Sequence, residues 1–536
     1  MRPRLPSACL ALALALAALP ALACTDPGDA TSDGDDLTSV QGLEHTIDFD
    51  GFVDVPTGAS DDTARGAIHR QLKSALGALR ERGIGVADRD AQRNLAAGTM
   101  VRASLEVVQA GAAVGRVDRV RYHYRDTALV ERGRVPTGPI DLTLLYGDYV
   151  ARAAELTPIC SDDATAEANS LWYHFAPGRT ACKTAIRDEQ RAIDLERASL
   201  TAAQIGVRDR DRRFLAARAT LAPVAAAPDT WPEYDQLWGF AGNPSRQKLV
   251  VYSFFGVDSD EANPRDNGLV EFLRHQRTLR GRLPGLRVVA TDPHSWLLDF
   301  TVDGQPLAGV TWEDVERWVI DGTGFPAAVG SDAGKRAALL GQVIEHFSER
   351  WIIWQWPVTV RRGGTTREMT VEIRTFYGWE DGSADARLHA RWRYLEAFWH
   401  ADVFAYTGHS HFGHGPLEPW TYAGSNFADR YQVMLVNSCL SFNYYDEDFL
   451  AMHPGGSQKL DVVVNGLAAY WNGMGQATAS YIAGLVDGED RRWRDVLTGM
   501  RVNLSFQTGY DPMRAVNGEL DNTFTPASGA IDLTPR

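Results

Sequence analysis

Two short apolar runs, each closing on a reactive side chain, constrain this chain more than anything else in it. Asp402 to His409 reads DVFAYTGH, and Tyr431 to Cys439 reads YQVMLVNSC. Neither alternates apolar with polar, so both are expected as buried strands. One run delivers an imidazole and the other a thiol, the two groups that a cysteine-nucleophile enzyme requires.

A third run of this type, KLVVYSFFG, spans Lys248 to Gly256. It leads into a loop with Asp258, Asp260, Asn263 and Asp266, a helical stretch from Gly268 to Arg280, and a strand LRVVAT from Leu286 to Thr291. Strand, helix, strand alternation predicts a parallel sheet with crossover helices, hence an α/β fold. Regularity then lapses. Residues 292–385 are expected to be a large Trp-rich insertion, with an amphipathic helix around Lys335 to Trp354 and a hairpin turning at Gly363 and Gly364. Order resumes at a helix from Ala384 to Trp399, followed by the runs ending at His409 and Cys439. Ligands of an open parallel sheet sit beyond the carboxyl ends of its strands, where strand order reverses. His409 and Cys439 are expected on that edge.

The rest of the chain sets the context. Its net charge of -15 argues against a nucleic-acid partner, because phosphate binding relies on a basic face. Arg2 and Arg4 precede an apolar run, Cys9 to Ala23, too short for a membrane span and of the length an export signal uses. Residues 1–23 are therefore expected to be a signal peptide. Its end, Ala21-Leu22-Ala23-Cys24, resembles a bacterial lipobox, which implies lipidation of Cys24 and anchoring to a membrane of the cell envelope, at the outer membrane or cell surface. Plain secretion with cleavage nearby is the alternative. Residues 24–44 are rich in Asp, and no Lys or Arg occurs between Arg4 and Arg65, so a solvated tether is expected there. Cys160 and Cys182 can pair in an oxidising compartment, which leaves Cys439 as the remaining thiol.

Composition divides the chain near residue 225. LAPVAAAPDTWP, Leu221 to Pro232, reads as a linker, and of the fifteen Trp only Trp172 precedes it. Residues 45–225 mix alternating stretches (His45 to Val55, Met100 to Val108, Arg119 to Tyr124) with helical ones (Ala67 to Arg80, Ala181 to Leu200), as an N-terminal α+β domain would. Its cluster LWYHFAPGRTAC, Leu171 to Cys182, is either core or the lining of a carbohydrate or peptide site. Residues 226–515 form the second domain, and 516–536 a polar C-terminal tail.

Tyr406-Thr407-Gly408-His409 and Asn437-Ser438-Cys439 resemble the third and fourth strand ends of the caspase and gingipain superfamily of cysteine peptidases. GLAAYWNG, Gly466 to Gly473, is similar to the small-residue strand that follows the Cys in gingipain-type enzymes. The resemblance implies a mostly parallel sheet with flanking helices, Cys439 as nucleophile, His409 as base, and an oxyanion site made by the N–H groups of Cys439 and Ser410. Ser410 stands where the family commonly has Gly. Gly413-His414-Gly415 makes His414 a rival base, and Asp446, Glu447 or Asp448 could select Lys or Arg in a peptide substrate. No cofactor is required by this chemistry, although Asp258, Asp260, Asn263 and Asp266 offer oxygen ligands suited to calcium. Two other functions remain open. His409, His411 and His414 have a spacing that suits a metal-dependent hydrolase. Alternatively, the chain is an inactive surface lipoprotein that binds a peptide or partner.

Overall fold

Strands whose side chains are apolar on both faces must be covered on both faces, and in this protein they lie in the middle of one large sheet. The computed structural model describes residues 37–86, 95, 99–224, 229–258, 265–292, 298–378, 384–445 and 447–536. The signal segment, Cys24, Asp260, Asn263 and Asp446 lie outside them.

In chain order the strands are β1 (Thr38–Ser39), β2 (Gly42–Pro56), β3 (Ile84–Val86), β4 (Val101–Gln109), β5 (Ala112–Glu131), β6 (Ile140–Leu145), β7 (Gln204–Gly206) and β8 (Phe214–Pro223). Then come β9 (Lys248–Gly256), β10 (Arg287–Asp292), β11 (Thr301–Val302), β12 (Gln305–Pro306), β13 (Arg350–Arg362) and β14 (Thr365–Gly378). The last are β15 (Val403–Thr407), β16 (Gln432–Asn437), β17 (Leu460–Asn465), β18 (Arg514–Asn517) and β19 (Asp532–Pro535). A seven-stranded sheet takes β2 to β8, while a ten-stranded sheet runs β1-β18-β17-β16-β15-β9-β14-β13-β10 with β19 beside β13. The fold is mixed α/β.

The larger sheet is parallel only at its centre, from β14 through β9, β15 and β16 to β17. Its outer pairs are antiparallel, which corrects the expectation of a mostly parallel sheet. The strand after the helix Asn267–Arg282 is displaced as well: β10 pairs antiparallel with β13 at the sheet's end, and β14 takes the parallel place beside β9. The hairpin does turn at Gly363 and Gly364, both with positive φ (51° and 82°), as a tight two-residue turn demands. It is no appendage, because its second strand is central. The helix before it, Ala333–Phe347, stops short of Trp354. From Arg350 the sequence RWIIWQW follows the burial of a strand, with Trp351, Trp354 and Trp356 all buried.

Side chains of the parallel strands alternate between two cores. Phe404, Tyr406, Met434 and Val436 share one with Ile47, Leu79 and Leu129 of the N-terminal half. Val403, Ala405, Val433 and Leu435 share the other with Leu273 and Ile482 of the helices Asn267–Arg282 and Met474–Val486. The N-terminal half thus packs directly on one face of the larger sheet.

Residues 37–44, expected as the end of the tether, and 516–536, expected as a polar tail, are built into the fold. Leu37, Thr38 and Ser39 are buried, Thr38 N–H donates to Glu519 Oε1 at 2.7 Å, and β1 closes the sheet edge. Phe524 and Ile531 are buried, and β19 pairs with β13. Cys160 and Cys182 form a disulfide. No helix among the described residues is long and apolar enough to cross a membrane.

Candidate active site at the strand ends

Three neighbouring parallel strands share a rung at or one residue before their ends: Thr407 of β15 pairs with Phe255 of β9 on one side and with Asn437 of β16 on the other. Chain order reverses here, since β9 is flanked by β14 and β15. Two residues past the rung stand His409 and Cys439, and three past it stands Asp258. A strand advances only about 3.3 Å per residue, so all three leave the sheet at the same edge.

The strand ends rest on a buried polar network. Thr407 Oγ1 lies 2.8 Å from Thr478 Oγ1, and Asn437 Nδ2 donates to Thr478 Oγ1 at 3.0 Å. Asn465 Nδ2 donates to Asn437 Oδ1 at 3.1 Å and to Ser438 O at 3.0 Å. Ser441 Oγ donates to Val436 O at 2.7 Å and accepts the Asn465 N–H at 2.8 Å. These bonds bracket Cys439 on both sides and hold a turn in which Leu440 has φ 51°, a conformation that residues with a β-carbon rarely adopt.

His409 faces Asp258, with Nε2 at 3.2 Å from Oδ1 and 3.4 Å from the main-chain oxygen. An N–H donated from Nε2 to this carboxylate leaves the imidazole lone pair on Nδ1. Asp258 is itself held by Asn267 Nδ2, which donates to its Oδ2 at 2.6 Å, and by its own N–H, donated to Asp266 Oδ2 at 2.8 Å. Asp266 caps the helix Asn267–Arg282 through the Leu269 N–H at 2.9 Å. Burial pushes its carboxyl up. Asp258 and Asp266, two of the oxygen ligands considered for calcium, thus serve the imidazole and a helix cap.

The Cys439 thiol donates to Ala469 O at 3.2 Å rather than to an imidazole. Burial pushes it up, opposed by the backbone at Ala469 and by the charge of Arg80. His409 reaches the same loop through Trp471, the two rings meeting edge to face at 5.4 Å. GLAAYWNG is therefore the loop after β17, not a strand. Among the described residues, neither the Cys439 N–H nor the Ser410 N–H is donated to a protein acceptor.

The other candidates lie elsewhere. His414 Nδ1 meets Glu418 Oε1 at 2.7 Å, and its ring faces Trp420. Among the described residues no group of three or more His, Cys, Asp or Glu is placed to hold a metal ion. Glu447 is exposed, and Asp448 opens a short helix that ends at Met452. That helix runs back toward the opposite sheet edge, where His453 Nε2 meets Gln432 Oε1 at the start of β16. Conversely, the N-terminal half reaches the thiol. The Tyr173 hydroxyl is pushed up to about 12, by burial first and by the charge of the Cys439 thiolate second, and Arg80 lies over the Tyr173 ring at 4.6 Å.

Strand-end reasoning applied to β9 would have singled out Asp258, since it follows that strand as His409 follows β15. Tyr173 and Arg80 had no such signal. Comparison of the chain with family models, with curated proteins and with solved structures finds no match.

Proposed function

We propose that this protein is an exported, lipid-anchored cysteine peptidase of caspase-like or gingipain-like architecture, working through Cys439, His409 and Asp258. The observation that carries the reading is the shared rung of β9, β15 and β16, from which all three residues emerge at one edge. In this reading the Cys439 proton passes to His409 Nδ1, and sulfur attacks the peptide carbonyl carbon. The oxyanion is met by the Cys439 and Ser410 N–H groups, and His409 returns the proton to the leaving amine. Water then attacks the thioester carbon, giving a proton to His409; the C–S bond breaks to release the acid, and His409 returns the proton to the Cys439 sulfur. Asp258 keeps the imidazole in the tautomer that does this.

The binding-protein alternative is favoured by one observation, the half-buried thiol bonded to Ala469 O. A peptide-based thiol electrophile separates the two. Stoichiometric labelling of Cys439 that is lost in His409→Ala supports the peptidase, whereas neither labelling nor turnover across a broad peptide library sinks it. Loss of activity to chelators with Cys439→Ala fully active would instead favour metal-dependent hydrolysis.

A further inference from the structure

The loop that carries His409 has a backbone that needs outside support. His411 (φ 47°), Phe412 (φ 55°) and Gly413 (φ 80°) follow one another in the left-handed region, and only the last is Gly. Such a run persists where its surroundings over-determine it, and strain of this kind concentrates at functional sites. From its own half of the chain the loop is held by several bonds, among them His414 N–H donated to His411 O at 3.0 Å and the contact of His409 with Asp258. Tyr406 OH donates to His409 O at 2.7 Å, Tyr445 OH donates to Ser410 O at 2.9 Å, and Gly413 N–H donates to Ser410 O at 2.8 Å.

Further support comes from the N-terminal half. Phe412 packs edge to face against Trp172 at 5.3 Å and Tyr173 at 4.9 Å. Those two rings are themselves fixed. Lys73 Nζ lies 5.2 Å from the centre of the Trp172 ring, and Arg80 lies over Tyr173. The helix Asp61–Arg80 comes so near the segment that a β-carbon at Gly77 would stand 2.4 Å from Trp172 O and 2.9 Å from Tyr173 O. The Cys160–Cys182 disulfide brackets the segment in sequence.

We infer that Trp172 and Tyr173 are positioning residues for His409: through Phe412 they lock the left-handed turn that aims the imidazole, so the N-terminal half is a working part of the site. This rests on the reading of His409 as the base. It also gives the aromatic cluster a role that a separate peptide or carbohydrate module would not have.

The test uses the full chain and two measurements, amide hydrogen exchange over 408–415 and the pH profile of Cys439 alkylation by iodoacetamide. Aromatic pairs of this geometry are worth enough to speed local exchange about 3- to 10-fold when one ring is removed. Tyr173→Ala and Phe412→Ala should each do so while β15 and β16 keep their protection, and should shift the alkylation profile. Tyr173→Phe should restore both. If Phe412→Ala does not fold, Tyr173→Ala and Tyr173→Phe still decide. Unchanged exchange in the Ala variants overturns the inference whatever becomes of the peptidase reading, and faster alkylation with unchanged exchange makes Tyr173 a cover instead. Faster exchange with an alkylation profile that His409→Ala does not alter overturns His409 as base, and the positioning role with it.

Discussion

The two sheets each carry a cluster of polar side chains, and the clusters differ in how deeply they are buried and in how their charges are paired. On the smaller sheet Arg119 of β5 stands opposite Asp54 of β2 and grips it with two bonds of 2.8 Å. Its third contact is Asp209 at 3.3 Å; Arg212 pairs with the other oxygen of Asp209, and Phe52 lies beneath both guanidinium groups. All four charges are about 95% buried, and each has a partner of opposite sign. At the edge of the larger sheet the groups lie nearer solvent: the thiol donates to a carbonyl, and the His409 side chain, beside Asp258, is 43% exposed. A buried cluster of charge pairs holds a fold, and one nearer solvent can change partners during a reaction.

The largest expected effect tests that division at the thiol. Cys439→Ala should lower peptide turnover by about 10,000-fold or more, as loss of a nucleophile does, yet cost only about 1 kcal/mol in denaturant unfolding. The reverse pattern, a small loss of activity with a large loss of stability, would put Cys439 with the scaffold. Arg119→Ala is the counterpart. It takes from the buried Asp54 its Arg partner, leaves Asp209 with Arg212 alone, and should cost about 3–5 kcal/mol, with iodoacetamide alkylation of Cys439 unchanged per folded molecule. An altered alkylation rate in the folded fraction would show that the two clusters are not independent.

Within the cluster nearer solvent the imidazoles should separate. His409→Ala should cost about 100-fold in turnover, within the range of general acid–base catalysis, and His414→Ala less than about twofold, because its ring is occupied by Glu418 and Trp420. A larger loss from His414→Ala than from His409→Ala would reverse the assignment.

The same contrast explains what the amino-acid order discloses. The runs ending at His409 and Cys439 stand out because a strand covered on both faces is apolar without a period, and the polar residue that ends it is conspicuous. Alternation in β2, β4 and β5 is equally plain, since one face of an antiparallel sheet meets water. Gly363 and Gly364 announce their hairpin, but nothing local says that β14 will lie beside β9, more than a hundred residues earlier. Nor could apolar character tell β10 from a central strand. Asp258 shares a loop with other oxygen-bearing side chains, and only the fold shows which of them meets the imidazole. Tyr173 and Phe412 are 239 residues apart in sequence, and their contact exists only once the N-terminal half docks on the larger sheet.

Glu271 offers the smallest effect and the finest test, because it lies between the two types of cluster. On the helix Asn267–Arg282, its carboxylate accepts the Gly473 N–H at 3.1 Å and the Gly475 N–H at 2.9 Å, at the start of the helix Met474–Val486 whose Thr478 supports the strand ends. Arg274 pairs with it. Burial nonetheless outweighs these contacts and pushes the carboxyl up to about 7, from an ordinary value of 4.5. A folded-state pKa raised above the unfolded one means that the folded protein holds this proton more tightly. The resulting stability is fully present below about pH 4.5 and is lost as pH rises through about 7. Gln in this place can accept both amides without a charge. Glu271→Gln should therefore gain about 1–2 kcal/mol relative to wild type between pH 5 and pH 8, measured by urea unfolding at each pH. If the variant instead loses ground as pH rises, the charged pair with Arg274 dominates, and Glu271 belongs with the buried charge pairs of the scaffold rather than with the edge above it.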